Sequence, residues 1–570
     1  MKHLSGICLS LWLVACTSLD GQVATSADLL IRSAHIHTLD PANPTAQAIA
    51  IKDGQILALG TNQELAGLAG PQTRVLALNG QSLLPGLIDS HIHSIEGALA
   101  LDACNLEDQQ LSFDQLKAEV LACAQHEPGD WLQVQNLPSV GLALDSKRLD
   151  ELLSHRPLFI ISTDAHTAWA NSLAMQLAGI DANTPNPPNP PNGRIVRDAG
   201  GEATGVLIDG ATSLVSKLLP PLPEAQKLAA LEKTLQGFYQ TGITAFLEAN
   251  ANAQSVQSFC SLAAQDKLKA RLNLALGSAG AASEEEFQRL EGLRQQASDC
   301  GFTADTIKLY ADGVIEYPTQ SAALLAPYAG QTQGTSDWAG KLYMPTDSLQ
   351  VFVLEAQRRG FNIHIHAIGD AAIQQALDAF ALARAASDDH QARFSITHLQ
   401  LIDPADYARF AQLDVLASMQ LLWAQPDEYS VEAVLPYLGP ERHARLYPAA
   451  SLHRAGAQIA GGSDWNVSSF NPFEAMAVAI SRTNQQAPQR GALNKAEALP
   501  LEAILQAYTV NSARLLGMEN RIGQLKVGMA ADLVILDRTL SAEMPPRVLA
   551  ETQVLLTLIG GEVVYQKDLE

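Results

Sequence analysis

The sequence predicts a mixed α/β fold, a (β/α)8 TIM-like barrel with a small composite β-sandwich formed by both ends of the chain. Three observations carry this prediction. Apolar strand-like runs alternate with helical patterns through the middle of the chain, the pattern of parallel strands covered on both faces by helices. Short apolar runs broken by glycine turns recur near both ends, as in antiparallel sheet. With 570 residues, the chain also exceeds what one hydrophobic core usually serves.

At the N-terminus, Met1-Lys2-His3 precedes an apolar stretch at residues 7–15 that is too short to span a bilayer, so residues 1–16 read as a signal peptide. Leu13-Val14-Ala15-Cys16 resembles a bacterial lipoprotein signal, which makes Cys16 the expected lipidation site. With Thr17 rather than Asp after it, an exported, periplasmic protein is expected, lipid-anchored in the outer membrane of a Gram-negative bacterium. Cys8 leaves with the signal, and Cys104, Cys123, Cys260 and Cys300 remain. In an oxidising compartment an even set favours two disulfides, and of three connectivities we favour the local one, Cys104 with Cys123 and Cys260 with Cys300. No CxxC spacing suggests a zinc-thiolate site.

Residues 27–83 read as the first part of the sandwich, with Asp-Gly and Asn-Gly turns between ADLLIRSAHIHTLD, AIAIKDGQILALG and TRVLALNGQSLLPG. Residues 518–570 read as its second part, and 84–517 as the barrel. Eight barrel strands are expected, at 83–91, 157–163 (PLFIIST), 242–250, 304–313, 361–370, 392–400, 414–420 and 457–465. Patterns such as EAQKLAALEKTLQGFYQ and DSLQVFVLEAQRRG supply helices between them. The stretch from about 101 to 210 is too long for one loop and reads as an insertion at the barrel mouth. Its Pro/Asn run TPNPPNPPNG is either a linker or a loop covering substrate.

A net charge of -23, with 37 Lys and Arg against 60 Asp and Glu, argues against nucleic acid as partner. A small-molecule substrate and membrane attachment only through the lipid anchor are expected. Oligomeric state is left open, a homodimer included.

Chemistry in such a barrel sits at the C-terminal strand ends, and metal-type ligands recur there. LLPGLIDSHIH ends in His91 and His93, which share one face of the strand and can grip one ion. Lys308 follows in the fourth strand, His364 and His366 in the fifth, His398 at the sixth and Asp464 at the end of the eighth. His364 lies one pleat deeper than His366, as a core or supporting residue.

Together with DAHTAWANS, IKLYADGVIE, HAIGDAA, ITHLQLIDPADYARF and GGSDWNV, this chain resembles the amidohydrolase superfamily of metal-dependent hydrolases, in its amidohydrolase 3 or YtcJ-like branch. The resemblance implies one or two divalent metal ions, for which imidazole with carboxylate suits zinc best. His91 and His93 would hold the more buried ion, and His366 and His398 the more exposed one. Asp464 would be ligand and general base, and Lys308 a bridging carbamate. An unmodified Lys308 paired with Asp312 or with a substrate carboxylate is the competing reading. His166 is a candidate catalytic residue, holding substrate or transition-state oxygen, or else only a stabiliser of its loop. Glu248 reads as a supporting partner and Trp465 as pocket wall or packing. Glu316 and Tyr317 stand where many relatives show small residues.

The implied activity is hydrolysis of an amide, formamide or cyclic amide C–N bond other than a peptide bond. A deaminase, a lactonase or an inactive surface-binding lipoprotein is the alternative.

Overall fold

The computed structural model describes residues 26–127, 129–187, 193–330, 336–386 and 391–567. The segment 1–16, with Cys16, lies outside the described residues. No helix among those described is long and apolar enough to cross a membrane.

Eight strands form one sheet: Leu87–Ile92 (β1), Ile243–Ala251 (β2), Arg271–Gly277 (β3), Thr303–Tyr310 (β4), Asn362–Ala367 (β5), Phe394–His398 (β6), Val415–Met419 (β7) and Ile459–Gly461 (β8). Each pairs in parallel with its neighbour in chain order. The seam between β8 and β1 is joined at the mouth, where the Asp464 amide donates to the His91 carbonyl and the His93 amide to the Trp465 carbonyl, both at 2.8 Å. Helices cover the outside with apolar stripes. In Thr346–Arg358, Leu349, Phe352, Val353 and Ala356 are buried, the i, i+3, i+4, i+7 set of one helix face.

The strand count agrees with the sequence reading, but its membership differs. Residues 157–163 do not enter the barrel: Leu158–Ser162 pairs antiparallel with Thr167–Ala170 in a separate six-stranded sheet. Four residues between two strands suffice for a hairpin and not for a parallel crossover. The missing barrel strand is Arg271–Gly277, whose RLNLALG lies between the helices Ala253–Ala264 and Glu284–Asp299.

The separate sheet lies within the stretch expected as an insertion and packs on its own apolar clusters, one around Leu116, Val134 and Leu158, the other around Phe159, Met175 and Leu207. Both expected disulfides are present. Cys104–Cys123 ties the sheet edge to the helix Phe113–His126, and Cys260–Cys300 ties two barrel helices.

The two ends of the chain meet in a sandwich of a four-stranded and a six-stranded sheet. In the latter, Leu533–Leu536 from the C-terminal part pairs antiparallel with Ser82–Pro85 from the N-terminal part. Their shared core is apolar, with Ile31, Ile49, Leu83, Leu533, Ile535 and Leu558 buried together. The chain passes from sandwich to barrel at Gly86, where a Cβ would stand 2.1 Å from Thr244 Oγ1.

Candidate metal centre

The expected ligands converge at the C-terminal mouth. His91 and His93 point their Nε2 atoms at one carboxylate oxygen, Asp464 Oδ1, at 3.3 and 3.2 Å. Gly462 makes this approach possible, since a Cβ there would stand 2.9 Å from both the amide nitrogen and the Cβ of His91. Asp464 itself takes a left-handed backbone conformation, φ 54°, which an ordinary residue holds only at some cost. Asp89, two residues before His91, pins the same seam by accepting from the amides of His91 (3.0 Å) and Ser463 (3.1 Å). Sequence reading passed over Asp89, although the alternation that puts His91 and His93 inside puts Asp89 there too.

Hydrogen bonding sets the imidazole tautomers. The Ser395 hydroxyl donates to the Ile363 carbonyl (3.3 Å), so its oxygen accepts from His364 Nδ1 (2.7 Å). His364 Nε2 is then an acceptor and takes the Nδ1 proton of His91 (2.6 Å). What remains on His91 is the Nε2 lone pair, facing Asp464. His364 is therefore a support for His91 rather than a ligand.

The same reasoning applies to the other two histidines. His366 Nε2 donates to the Gly313 carbonyl (3.0 Å), which frees Nδ1. His398 Nδ1 donates to Gln420 Oε1 (3.0 Å), which frees Nε2. The two rings lie 4.4 Å apart between centroids, and His398 is 5.0 Å from His91 and stacks on Trp423. Burial holds His366 and His398 well below the ordinary histidine range, and His91 at about 3, with the Lys308 charge adding to the effect. Neutral imidazoles are the form that binds metal. Burial pushes Asp464 upward, but the His91 and His93 rings that face it outweigh this and hold the carboxyl well below its usual range.

Lys308 is fully buried. Its Nζ lies 3.4 Å from His91 Nε2 and 4.8 Å from the Tyr310 ring centre, and among the described residues no carboxylate comes within 4.0 Å of it. The pair with Asp312 weighed from the sequence is not formed, because Asp312 accepts from the amides of Ala323, Ile368 and Gly369 instead. Burial pushes the Lys308 amine down to about 7.

His166 comes from the insertion and lies 5.7 Å from His366 between ring centroids. Its Nδ1 is 2.6 Å from Asp209 Oδ1, and Tyr343 donates to the other oxygen of Asp209 at 2.7 Å. Burial lowers the His166 pKa, but Asp209 more than offsets this and leaves it raised. Asp209 and Tyr343 carry no local motif and were not read from the sequence. Glu248 Oε2 accepts from the amide of Ser94 (2.9 Å) and from its hydroxyl, fixing the residue after His93. Trp465 packs against Phe238 and Phe470 and also lines the cavity above the ligands, which measures about 1480 Å³. Part of the Pro/Asn run lies outside the described residues, but Pro187 lines that cavity.

The donor set fits a divalent ion. Asp464 Oδ1 is buried and has no hydrogen-bond partner among the described residues, and the ligand atoms of His91, His93 and Asp464 lie within 4.8 Å of one another. Two imidazoles and a carboxylate converging on one point suit a metal that binds nitrogen and oxygen.

A model described as "Amidohydrolase family" matches residues 74–565. The chain belongs to the amidohydrolase family. This amidohydrolase is 27% identical to the N-substituted formamide deformylase of Arthrobacter pascens, over 95% of its own chain and 98% of the relative. It is also 27% identical to the putative amidohydrolase YtcJ of Bacillus subtilis strain 168, over 93% and 98% of the two chains. Protein LONG AFTER FAR-RED 3 of Arabidopsis thaliana is 29% identical, over 95% and 92%. In fold, the amidohydrolase is similar to the crystal structure of an uncharacterized metal-dependent hydrolase from Pyrococcus horikoshii OT3, with a TM-score of 0.69 at 22% identity, covering 92% of this chain and 99% of that one.

Proposed function

We propose that this amidohydrolase cleaves the C–N bond of a small amide, formamide or cyclic amide, with divalent ions, zinc by preference, held by His91, His93, His366, His398, Asp464 and a carbamate on Lys308. The observation that carries this reading is that, among the described residues, Asp464 Oδ1 has no hydrogen-bond partner and the buried Lys308 has no carboxylate within 4.0 Å. An unpaired buried ammonium is strongly unfavourable, whereas a carbamate on Lys308 would supply anionic oxygen donors to the ions. The likeness to N-substituted formamide deformylase supports the bond class.

When bound, a divalent ion lowers the pKa of water to about 7 and polarises a carbonyl oxygen. Asp464 takes the proton of the attacking water and returns it to the leaving nitrogen as the C–N bond breaks. His166, oriented by Asp209, donates a hydrogen bond to the carbonyl oxygen as that oxygen gains charge. Trp465 and Trp423 wall the reacting bond from solvent.

The test is metal analysis of the purified protein together with turnover on an amide panel, following amine and acid release. Two equivalents of metal and equal release of amine and acid are expected. Ammonia release would favour a deaminase, and acid release from lactones alone a lactonase. A metal-free protein without turnover would point to an inactive surface-binding lipoprotein. Labelling of Lys308 with 13C-bicarbonate, read by NMR, checks the carbamate.

We also propose export and lipidation at Cys16, with the protein periplasmic on the outer membrane. The two disulfides support an oxidising compartment. A Cys16→Ser variant released from the membrane fraction would bear this out.

A further inference from the structure

Above the metal ligands, the cavity wall carries carboxylates with no lysine or arginine beside them among the described residues, although the charge of His166 reaches Glu316 and Asp164. Glu316 follows β4, Asp164 and Asp108 come from the insertion, and Asp427 follows β7, and all four line the cavity. Among the described residues none of them lies within 4.0 Å of a lysine or arginine nitrogen, although carboxylates elsewhere do, such as Glu428 with Arg490 and Asp406 with Arg409. Among the described residues, the one lysine lining the cavity is Lys308 at its floor, and no arginine lines it.

Glu316 is the residue that points to a ligand. It is 9% exposed, and its Oε1 accepts from Gln400 Nε2 at 2.8 Å. Gln400 donates also to Tyr447 (2.7 Å), so the carboxylate is held in position at the cavity wall by a side-chain network. Asp164 spends Oδ1 on the amides of His166 (2.9 Å) and Thr167 (3.2 Å), while its Oδ2 is buried and has no hydrogen-bond partner among the described residues. Burial pushes Glu316 up to about 7, and the Asp164 charge adds to this. A carboxylate raised by burial and by a like charge is stabilised by any cation brought beside it. The carboxylates do not form a compact group of the kind that holds a metal. They are spread over one wall, which suits a group donating in several directions.

We propose that the substrate carries a protonated amine remote from the scissile C–N bond, seated against Glu316 and Asp164, so that Glu316 selects for cationic substrates. This rests on the amide-hydrolase reading for the position of the scissile bond. An ammonium donates three hydrogen bonds and has no acceptor, which matches a wall lined by Glu316, Asp164, Asp108 and Asp427. A neutral analogue would leave Glu316 buried and unpaired, and unpaired buried polar groups are what reject near-isosteres.

The experiment uses the full-length, metal-loaded protein and a matched pair, N-[4-(aminomethyl)benzyl]formamide and N-[4-(hydroxymethyl)benzyl]formamide. The amine should be preferred in kcat/KM by at least about 100-fold, and Glu316→Gln, which keeps an acceptor for Gln400, should cut the preference below about tenfold. Asp164→Asn provides a second variant should Glu316→Gln not fold. Equal turnover of both compounds by the unaltered protein, or an unchanged preference in a folded variant, would overturn the proposal while leaving amide hydrolysis standing. If neither formamide is cleaved, the bond class fails and calorimetry decides the cation. In that case p-xylylenediamine binding at least about tenfold tighter than 1,4-benzenedimethanol, with the difference lost in Glu316→Gln, supports cation recognition. Equal binding overturns it.

Discussion

The sandwich core and the barrel mouth are both buried, but they are held together in opposite ways. In the sandwich, Ile31, Ile49, Leu533 and Leu558 are buried together, and burial is itself the stabilising term, about 1.5–3 kcal/mol for each large side chain. At the mouth, His91, Lys308, His364, His366 and Asp464 are as deeply buried, and burial works against their charged forms. They stay there because two strand ends, a glycine and a chain of hydrogen bonds leave them no alternative. The sandwich should therefore answer to volume, and the mouth to proton and lone-pair placement.

The largest effect should come from the mouth. Asp464→Asn keeps the shape but removes the base, and should lower kcat/KM about 10³-fold or more while the melting temperature moves little. Steady-state kinetics beside calorimetry checks this, and a large loss of stability with kinetics intact would reverse the comparison. Next comes the sandwich, where Leu533→Ala should cost about 2–5 kcal/mol in denaturant unfolding with kcat/KM of the folded fraction unchanged.

A smaller effect sharpens the account of the mouth. His364→Leu removes the acceptor for His91 Nδ1–H and should weaken metal binding about 10–100-fold, whereas His364→Gln, which restores an acceptor, should recover most of it. The readout is metal affinity by competition with a chelator. In the metal-free protein, 15N shifts of His91 should show the proton leaving Nδ1 in the leucine variant.

The smallest effect is a pH dependence in the sandwich. His37 lies there with Nε2 3.2 Å from Ser82 Oγ, and burial, helped by the His35 charge, lowers it from 6.5 to about 4. Between these values the unfolded chain binds a proton that the folded one does not. The stabilising contribution of neutral His37 is thus complete above pH 6.5 and is lost as pH falls towards about 4. His37→Gln should flatten stability over that window, measured by urea unfolding at a series of pH values. An unaltered slope would show that His37 does not set it.

What the sequence determined by itself was whatever follows from periodicity. Alternation places His91 and His93 on one face, apolar runs between helical patterns give a parallel barrel, and glycine turns at both ends give a sandwich shared by the termini. These are local properties, and local sterics settle them. The Amidohydrolase family motifs could be read for the same reason, since each occupies a few consecutive residues. Only the tertiary structure decided which runs pair. PLFIIST and RLNLALG are equally apolar, and the four-residue hairpin after Leu158–Ser162 is what turns the first away from the barrel. Partner choice at the mouth was hidden in the same way. Asp312 turned to three backbone amides rather than to Lys308, His364 became the support of His91, and His166 acquired Asp209 from 43 residues away. Hydrogen bonds between distant segments depend on which elements the packed core brings together, and no spacing within a strand encodes that.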